Sequence, residues 1–373
     1  MTRIKGLDGL RAIAFLLVFL YHAHFGDFGW VGVQLFFVLS GFLITGILLE
    51  MKNSLSMGMY LLKFYGRRVL RIVPLYYLYL FLISLAVAMM VEHHFRQSFT
   101  QVFQKQFPYA LYYVYDFMMA TNKYEIASSF LTHLWSLAVE EQFYLIWPFV
   151  VFLTPKQHLK KVFFFAVGLA PVFRLATLLF YQHTTISLLH QDPNVAVYAL
   201  PVSHLDAFAM GALLNILPSI PKAKLQFLVL LFALPLVSMS IDYLTIGQWN
   251  PNYGFGLRNL LPNAYRPVWA YSLLNYLFML LIYGVAKEGW FARFLEYPVL
   301  TYLGKISYGL YVYHYCLLWF VGVFILPNWN ILPIALVALP LSILVASLSY
   351  FAFERPIMNL KDRWFSLRPA AKL

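Results

Sequence analysis

The sequence predicts an all-α integral membrane protein, a bundle of about ten transmembrane helices with both chain ends on the cytoplasmic side. Three observations predict it. The first is composition: 62% of the 373 residues are hydrophobic and only 11% charged. A soluble domain carries about 25% charged residues, so too little polar surface is available here to coat a globule in water. The second is the recurrence of apolar runs of roughly 20 residues, the length that crosses a hydrocarbon core of about 30 Å. The third is the one-sided placement of basic residues once those runs are read as spans. The 27 Tyr and 35 Phe agree, since many of them flank the apolar runs as interfacial belts do.

The runs fall at about 9–25, 28–50, 71–91, 133–153, 162–181, 204–217, 225–242, 269–286, 306–326 and 331–352. Residues 58–69 form a basic, partly apolar approach to the third run. Residues 107–119 are apolar and aromatic but too short to span, which predicts an interfacial or re-entrant segment. An even number of spans puts both termini on one side. If that side is inside, Arg96, Lys105, Lys123, Arg258 and Arg266 fall outside and Arg174 within a span, leaving 21 of the 27 Lys and Arg on the inner side. The positive-inside rule then sets the orientation as N-in and C-in. An odd number of spans would split these groups.

The net charge of +12 therefore reads as membrane topology and not as a nucleic-acid surface, because the bases sit in short loops between apolar runs. The single cysteine, Cys316, lies inside an apolar run, so it makes no internal disulfide and reads as a packing residue. The basic segment from Met1 to Arg11 precedes an apolar run with no small-residue cleavage pattern, so no removed signal peptide is expected. No linker, low-complexity stretch or alignable repeat interrupts the chain, which leaves an inverted-repeat transporter without direct support. Residues 1–373 are expected to form one transmembrane domain with no appended soluble domain.

Ionisable groups inside a bilayer are costly, so each is a candidate for function. Arg11 and His22 are eleven residues apart, within about 20° of one helical face and about 16 Å along it. Imidazole is suited to proton transfer at neutral pH, although a snorkelling Arg and an interfacial His meet the same spacing. Glu140 and Glu141 are adjacent in the span that opens at His133. Neighbouring side chains point about 100° apart, so at most one faces a given site squarely. Arg68 and Arg71, in the cluster with Arg67, share a helical face. Their fork geometry suits phosphate, and ordinary positive-inside anchoring gives the same pattern. Ser307, Tyr311 and His314 are spaced to share a face of the ninth span. Arg174 is explained equally by pairing with Asp206, and Glu354 by pairing with Arg355 or Arg71.

Taken together these residues resemble the acyltransferase-3 family of membrane acyltransferases. The carriers are GlyLeuAspGlyLeuArgAlaIleAla at 6–14 followed by TyrHis, the second-span run 29–45, ArgArgValLeuArgIleValProLeuTyr at 67–76 and TrpSerLeuAlaValGluGluGlnPheTyr at 135–144. SerTyrGlyLeuTyrValTyrHis at 307–314 and PheGluArgPro at 353–356 complete the set in order. HisLeuAspAlaPheAlaMetGlyAlaLeu at 204–213 is similar to the family's sixth-span start, with His204 where Arg is expected.

The resemblance implies transfer of an acyl group, acetyl on family grounds, from cytoplasmic acyl-CoA to a hydroxyl of a glycan or other acceptor at or across the membrane. It implies that His22 is the catalytic histidine, as general base or acyl carrier, with Glu140 or Glu141 orienting it or holding the acceptor. Arg11, Arg68 and Arg71 would serve the donor; Trp135, Ser136, Arg174, Tyr311 and His314 are the substrate-binding candidates. No metal is expected. The expected partners are membrane lipid, acyl-CoA and a carbohydrate or lipid-linked glycan, and the expected location is the bacterial cytoplasmic (inner) membrane. A transporter or flippase of a lipid-linked glycan is the competing class.

Overall fold

The computed structural model describes residues 4–247 and 265–366. Every regular element among them is helical. In chain order these are α1 Lys5–His22, α2 Val31–Lys52, α3 Met57–Glu92, α4 Gln97–Leu111, α5 Tyr115–Met119, α6 Trp135–Leu153, α7 Lys156–His183, α8 Pro193–Ala199 and α9 Leu205–Leu213. They continue with α10 Ala223–Ile246, α11 Arg266–Lys287, α12 Ala292–Leu295, α13 Pro298–Lys305, α14 Ser307–Phe320, α15 Ile331–Ser349 and α16 Arg355–Trp364. The predicted outer loop 243–268, including Arg258, lies largely outside the described residues, as do Arg3, Arg368 and Lys372.

Eight of the described helices are long and apolar enough to cross a membrane, and α8 with the segment Pro201–Leu213 makes a ninth if that bent pair is one span. The predicted first span, α1, does not pass the same test. Lys5, Asp8 and Arg11 crowd its first turns, yet most of its remaining face is buried at the heart of the bundle. The predicted sixth span at 204–217 is corrected in form. Nine-residue α9 rises only about 13 Å, and a 65° bend separates it from α8. Pro201 begins the segment after that bend, where the chain cannot simply continue a helix.

The third span also differs in form. Residues 58–69 are not a separate approach but the start of α3, a continuous helix of 36 residues with Pro74 inside it. At 1.5 Å per residue it is about 54 Å long, so Arg67, Arg68 and Arg71 sit in its middle reaches. The predicted short segment 107–119 is the end of α4 and all of α5, parted at Tyr113, whose φ of +54° turns the chain.

Packing between helices in a membrane relies on close approach, which small residues allow. Gly41 of α2 and Gly211 of α9 supply it: a Cβ on the first would overlap the Phe208 carbonyl, and on the second the Val38 carbonyl. Helix α2 is accordingly the most enclosed span, with 78% of its apolar window buried, against 39% for α3. Helices α1, α2, α3, α6 and α14 surround the polar interior described next.

Candidate active site

A cavity of about 220 Å³ opens among these five helices. Its charged wall residues are Arg11 from α1, Arg68 and Arg71 from α3, and Glu140 and Glu141 from α6. The i, i+3 spacing of Arg68 and Arg71 carries both to one face, while Arg67 turns away and donates to the Phe365 carbonyl at 3.1 Å. The Arg68 guanidinium lies over the Tyr144 ring, 5.1 Å from its centre. Glu140 accepts hydrogen bonds from Ser40 and Tyr144, so one of its oxygens is held by two hydroxyls on the wall that also carries the arginines.

The opposite end of the cavity is closed by Ser136 and Tyr311. Their hydroxyls are 2.5 Å apart, and Tyr311 Oη also donates to the His133 carbonyl at 3.0 Å. Tyr144 and Ser136, both wall residues, lie about 12 Å apart along α6 by helical rise. Tyr308 and Ser307 of α14 complete the wall.

About one helical turn beyond Tyr311 stands a cluster of three histidines. His314 Nδ1 is 2.7 Å from the Tyr311 carbonyl, and a carbonyl only accepts, so that nitrogen carries the hydrogen. The bare Nε2 of a neutral His314 then accepts from His22 Nδ1 at 2.9 Å. A neutral His22 held this way presents Nε2 as a free base. Its ring stacks on Tyr315, with centres 4.3 Å apart and planes 28° apart. The third member is His133, which donates from Nε2 to the Val312 carbonyl at 3.0 Å. His133 is buried, 5.5 Å ring to ring from His314, and its Nδ1 has no partner.

This geometry sorts the predicted residues. Arg11, Arg68, Arg71, Glu140, Glu141, Ser136 and Tyr311 meet at one cavity, and His22 and His314 meet just beyond it. Of the two expected roles for the glutamates, orienting His22 does not fall to Glu140, which bonds Ser40 and Tyr144; His22 bonds His314 instead. Trp135 lies behind the wall, packed on Tyr198 at 4.5 Å between ring centres.

Arg174 is not at the cavity. It is fully buried and bonds Asp206 through both terminal nitrogens, at 3.1 and 2.9 Å, together with Ser272 and the carbonyls of Ser203 and Val268. All its donors are met within the fold and Asp206 is its partner, as the alternative reading of Arg174 expected. His204, standing where Arg is expected, accepts from Gln34 at Nδ1 and donates from Nε2 to the Tyr198 carbonyl, which closes a second internal network. Glu354 takes a hydrogen bond from Ser349 at 3.1 Å.

His133 is the site residue that sequence reasoning passed over. The signal was present, since His133 precedes Ser136 by three residues and so lies on the same edge of the helix that carries the glutamates. Among the described residues no three His, Cys, Asp or Glu are grouped as metal ligands.

Comparisons with known proteins bear on the chain as a whole. The acyltransferase-3 profile, described as an acyltransferase domain, matches residues 4–351. O-acetyltransferase OatA of Staphylococcus aureus strain NCTC 8325 is 26% identical over 385 residues, covering 99% of this chain and 59% of that protein. SACOL0978 of strain COL, provisionally named an O-acetyltransferase, is 27% identical over 397 residues, covering 99% of this chain and 60% of its own length. The chain thus spans about six-tenths of the length of the curated relatives it matches. No solved structure matches it. With a family match over nearly its whole length, the chain belongs to the acyltransferase-3 family.

Proposed function

We propose that the chain transfers an acetyl group from acetyl-CoA to a hydroxyl of a glycan acceptor, with Arg68 and Arg71 facing the cytoplasm and His22 the far side of a bacterial cytoplasmic membrane. The observation that carries this reading is the bare Nε2 of His22, fixed by His314, one turn beyond a cavity walled by three arginines. The family match supports acyl transfer, and relatives named O-acetyltransferases support acetyl and an oxygen nucleophile.

On this reading the guanidiniums of Arg68 and Arg71, with Arg11, receive donor phosphates, and the thioester arm lies along the cavity toward Tyr311. His22 Nε2 takes the proton of the acceptor hydroxyl as that oxygen attacks the thioester carbonyl carbon. Ser136 Oγ turns its one hydrogen to the carbonyl oxygen as charge gathers on it, while Tyr311 stays bonded to the His133 carbonyl and holds Ser136 in place. The carbon–sulfur bond then breaks, and the imidazolium returns its proton to the leaving thiolate. Its charge is meanwhile spread through His314 to the Tyr311 carbonyl. A route through acetyl-His22 is separated from direct transfer by incubating the chain with radiolabelled acetyl-CoA and no acceptor: only the covalent route leaves label on the protein.

The test is acetyl-CoA-dependent transfer by the purified full chain in nanodiscs. His22→Ala is expected to lose about 10²–10⁴-fold in rate with its unfolding midpoint unchanged, and near-normal turnover would remove His22 from the chemistry. Movement of a lipid-linked glycan without acetyl-CoA consumption would favour the transporter class. Orientation is tested separately with Asn53→Cys in a Cys316→Ser background. Labelling only from the cytoplasmic side is expected, and labelling from outside reverses the topology.

A further inference from the structure

Ser307 is a polar wall residue of the cavity with no task in the chemistry above. Ser307 is 1% exposed, it lines the cavity, and its Oγ has no hydrogen-bond partner. Burying an unpaired hydroxyl is unfavourable, and Ala at this position would avoid that cost. A serine at this place makes physical sense if a bound molecule supplies the missing partner.

Its surroundings define what kind of molecule. Ser307 is the first residue of α14, a helix of 14 residues. The N–H groups of a helix's first turn have no acceptor within the helix, and its dipole places partial positive charge there. The preceding α13 ends at Lys305, and the Ile306 N–H is already given to the Tyr302 carbonyl at 3.2 Å. Ser307 and Tyr308, both in the first turn of α14, line the cavity. Arg11 and Arg71 face the same space from two other helices. Of the carboxylates nearby, Glu140 is occupied by Ser40 and Tyr144, Glu141 shares the wall, and Glu354 approaches Gly309 without being a wall residue.

We propose that Ser307 Oγ and the α14 N-terminus form a phosphate-oxygen subsite for the acyl donor, facing Arg11 and Arg71 across the cavity. The ligand class is a phosphate ester or diphosphate on a pantetheine-bearing nucleotide. This inference rests on the donor reading given above and adds a hydroxyl and a helix end to the arginines. The hydroxyl donates to a non-bridging phosphate oxygen, and the first-turn N–H groups add neutral donors that hold the anion without a further charge.

The test is binding of CoA, 3′-dephospho-CoA and pantetheine to the purified full chain, compared between wild type and Ser307→Ala. The expected result is about tenfold weaker CoA binding in the variant, the factor associated with one hydrogen bond to a charged group, with pantetheine binding unchanged. The unfolding midpoint of the ligand-free variant should stay level or rise, because an unpaired buried hydroxyl has been removed. Loss with both nucleotides assigns the diphosphate, and loss with CoA alone assigns the 3′-phosphate. CoA affinity within twofold of wild type, or equal loss of CoA and pantetheine, overturns the subsite while leaving the donor reading intact. No CoA binding to the wild type overturns both. In nanodiscs, competition by phosphatidylglycerol that vanishes in Ser307→Ala would show a lipid phosphate at this place and overturn the donor assignment.

Discussion

Two sets of arginines lie within this bundle, and they are spent differently. Arg174 bonds Asp206, Ser272 and two carbonyls, so it has nothing left to offer a ligand. Arg11, Arg68 and Arg71 line an open cavity, with Arg68 resting over the face of Tyr144 and not in a carboxylate fork. A buried guanidinium costs free energy unless its donors are met. The fold meets them for Arg174; at the cavity it leaves capacity that a ligand can take up. The lesson is that an intramembrane arginine is read by the fate of its donors, not by its depth.

The largest effect expected from this contrast is on stability. Arg174→Met leaves the Asp206 carboxylate buried without its cation, at a cost of roughly 3–5 kcal/mol, and the variant should fail to accumulate or unfold far below wild type in a detergent thermal ramp. Arg174→Met with Asp206→Leu should recover part of that loss. Normal stability in the single variant would show that Arg174 is not structural.

Next in size is His314→Ala, which removes the hydrogen bond fixing His22. Loss of an orienting hydrogen bond corresponds to roughly 10–100-fold in turnover, expected here in kcat with CoA affinity preserved. Unchanged kcat would mean that His22 is held by something else.

Conservative change at the cavity arginines should then weaken donor binding while sparing the fold. Arg68→Lys and Arg71→Lys keep charge but lose the fork, so each is expected to weaken CoA binding several-fold to about tenfold, more at high salt than at low. Affinity unchanged in the double variant would move the donor site elsewhere, the 287–305 loop being the first place to look. The smallest effect is expected for Tyr311→Phe. It loses the contacts to Ser136 and the His133 carbonyl, worth about 1 kcal/mol each, seen as a modest fall in midpoint and a few-fold fall in kcat.

What the sequence made legible follows helical geometry. Arg68 and Arg71 reach one cavity because three residues separate them on one helix, and Arg11 and His22 stand along one helix for the same kind of reason. The apolar runs likewise located most of the spans. Contacts made between helices were not legible. His22 meets His314 across 292 positions of chain, and nothing local announces that meeting or the exclusion of Glu140 from it. The bend before α9 was hidden because residues 204–217 are apolar enough to pass as one span, although Pro201 just before them marks the break. Pairing of Arg174 with Asp206 was open in the sequence and was decided by the approach of α7 to α9 and α11.

The glycine contacts between α2 and α9 carry a mechanical consequence. Two backbones locked at Gly41 and Gly211 cannot slide or part without unpacking the centre of the molecule. The facing wall, α3, is less than half enclosed along its apolar window and carries Pro74, which withdraws one rung of the helix's internal ladder close to Arg71. The cavity thus has one stiff side and one compliant side, and the compliant side leans on lipid. Widening it means displacing acyl chains, so the lateral pressure and thickness of the bilayer act as the spring against which the arginine-bearing helix works.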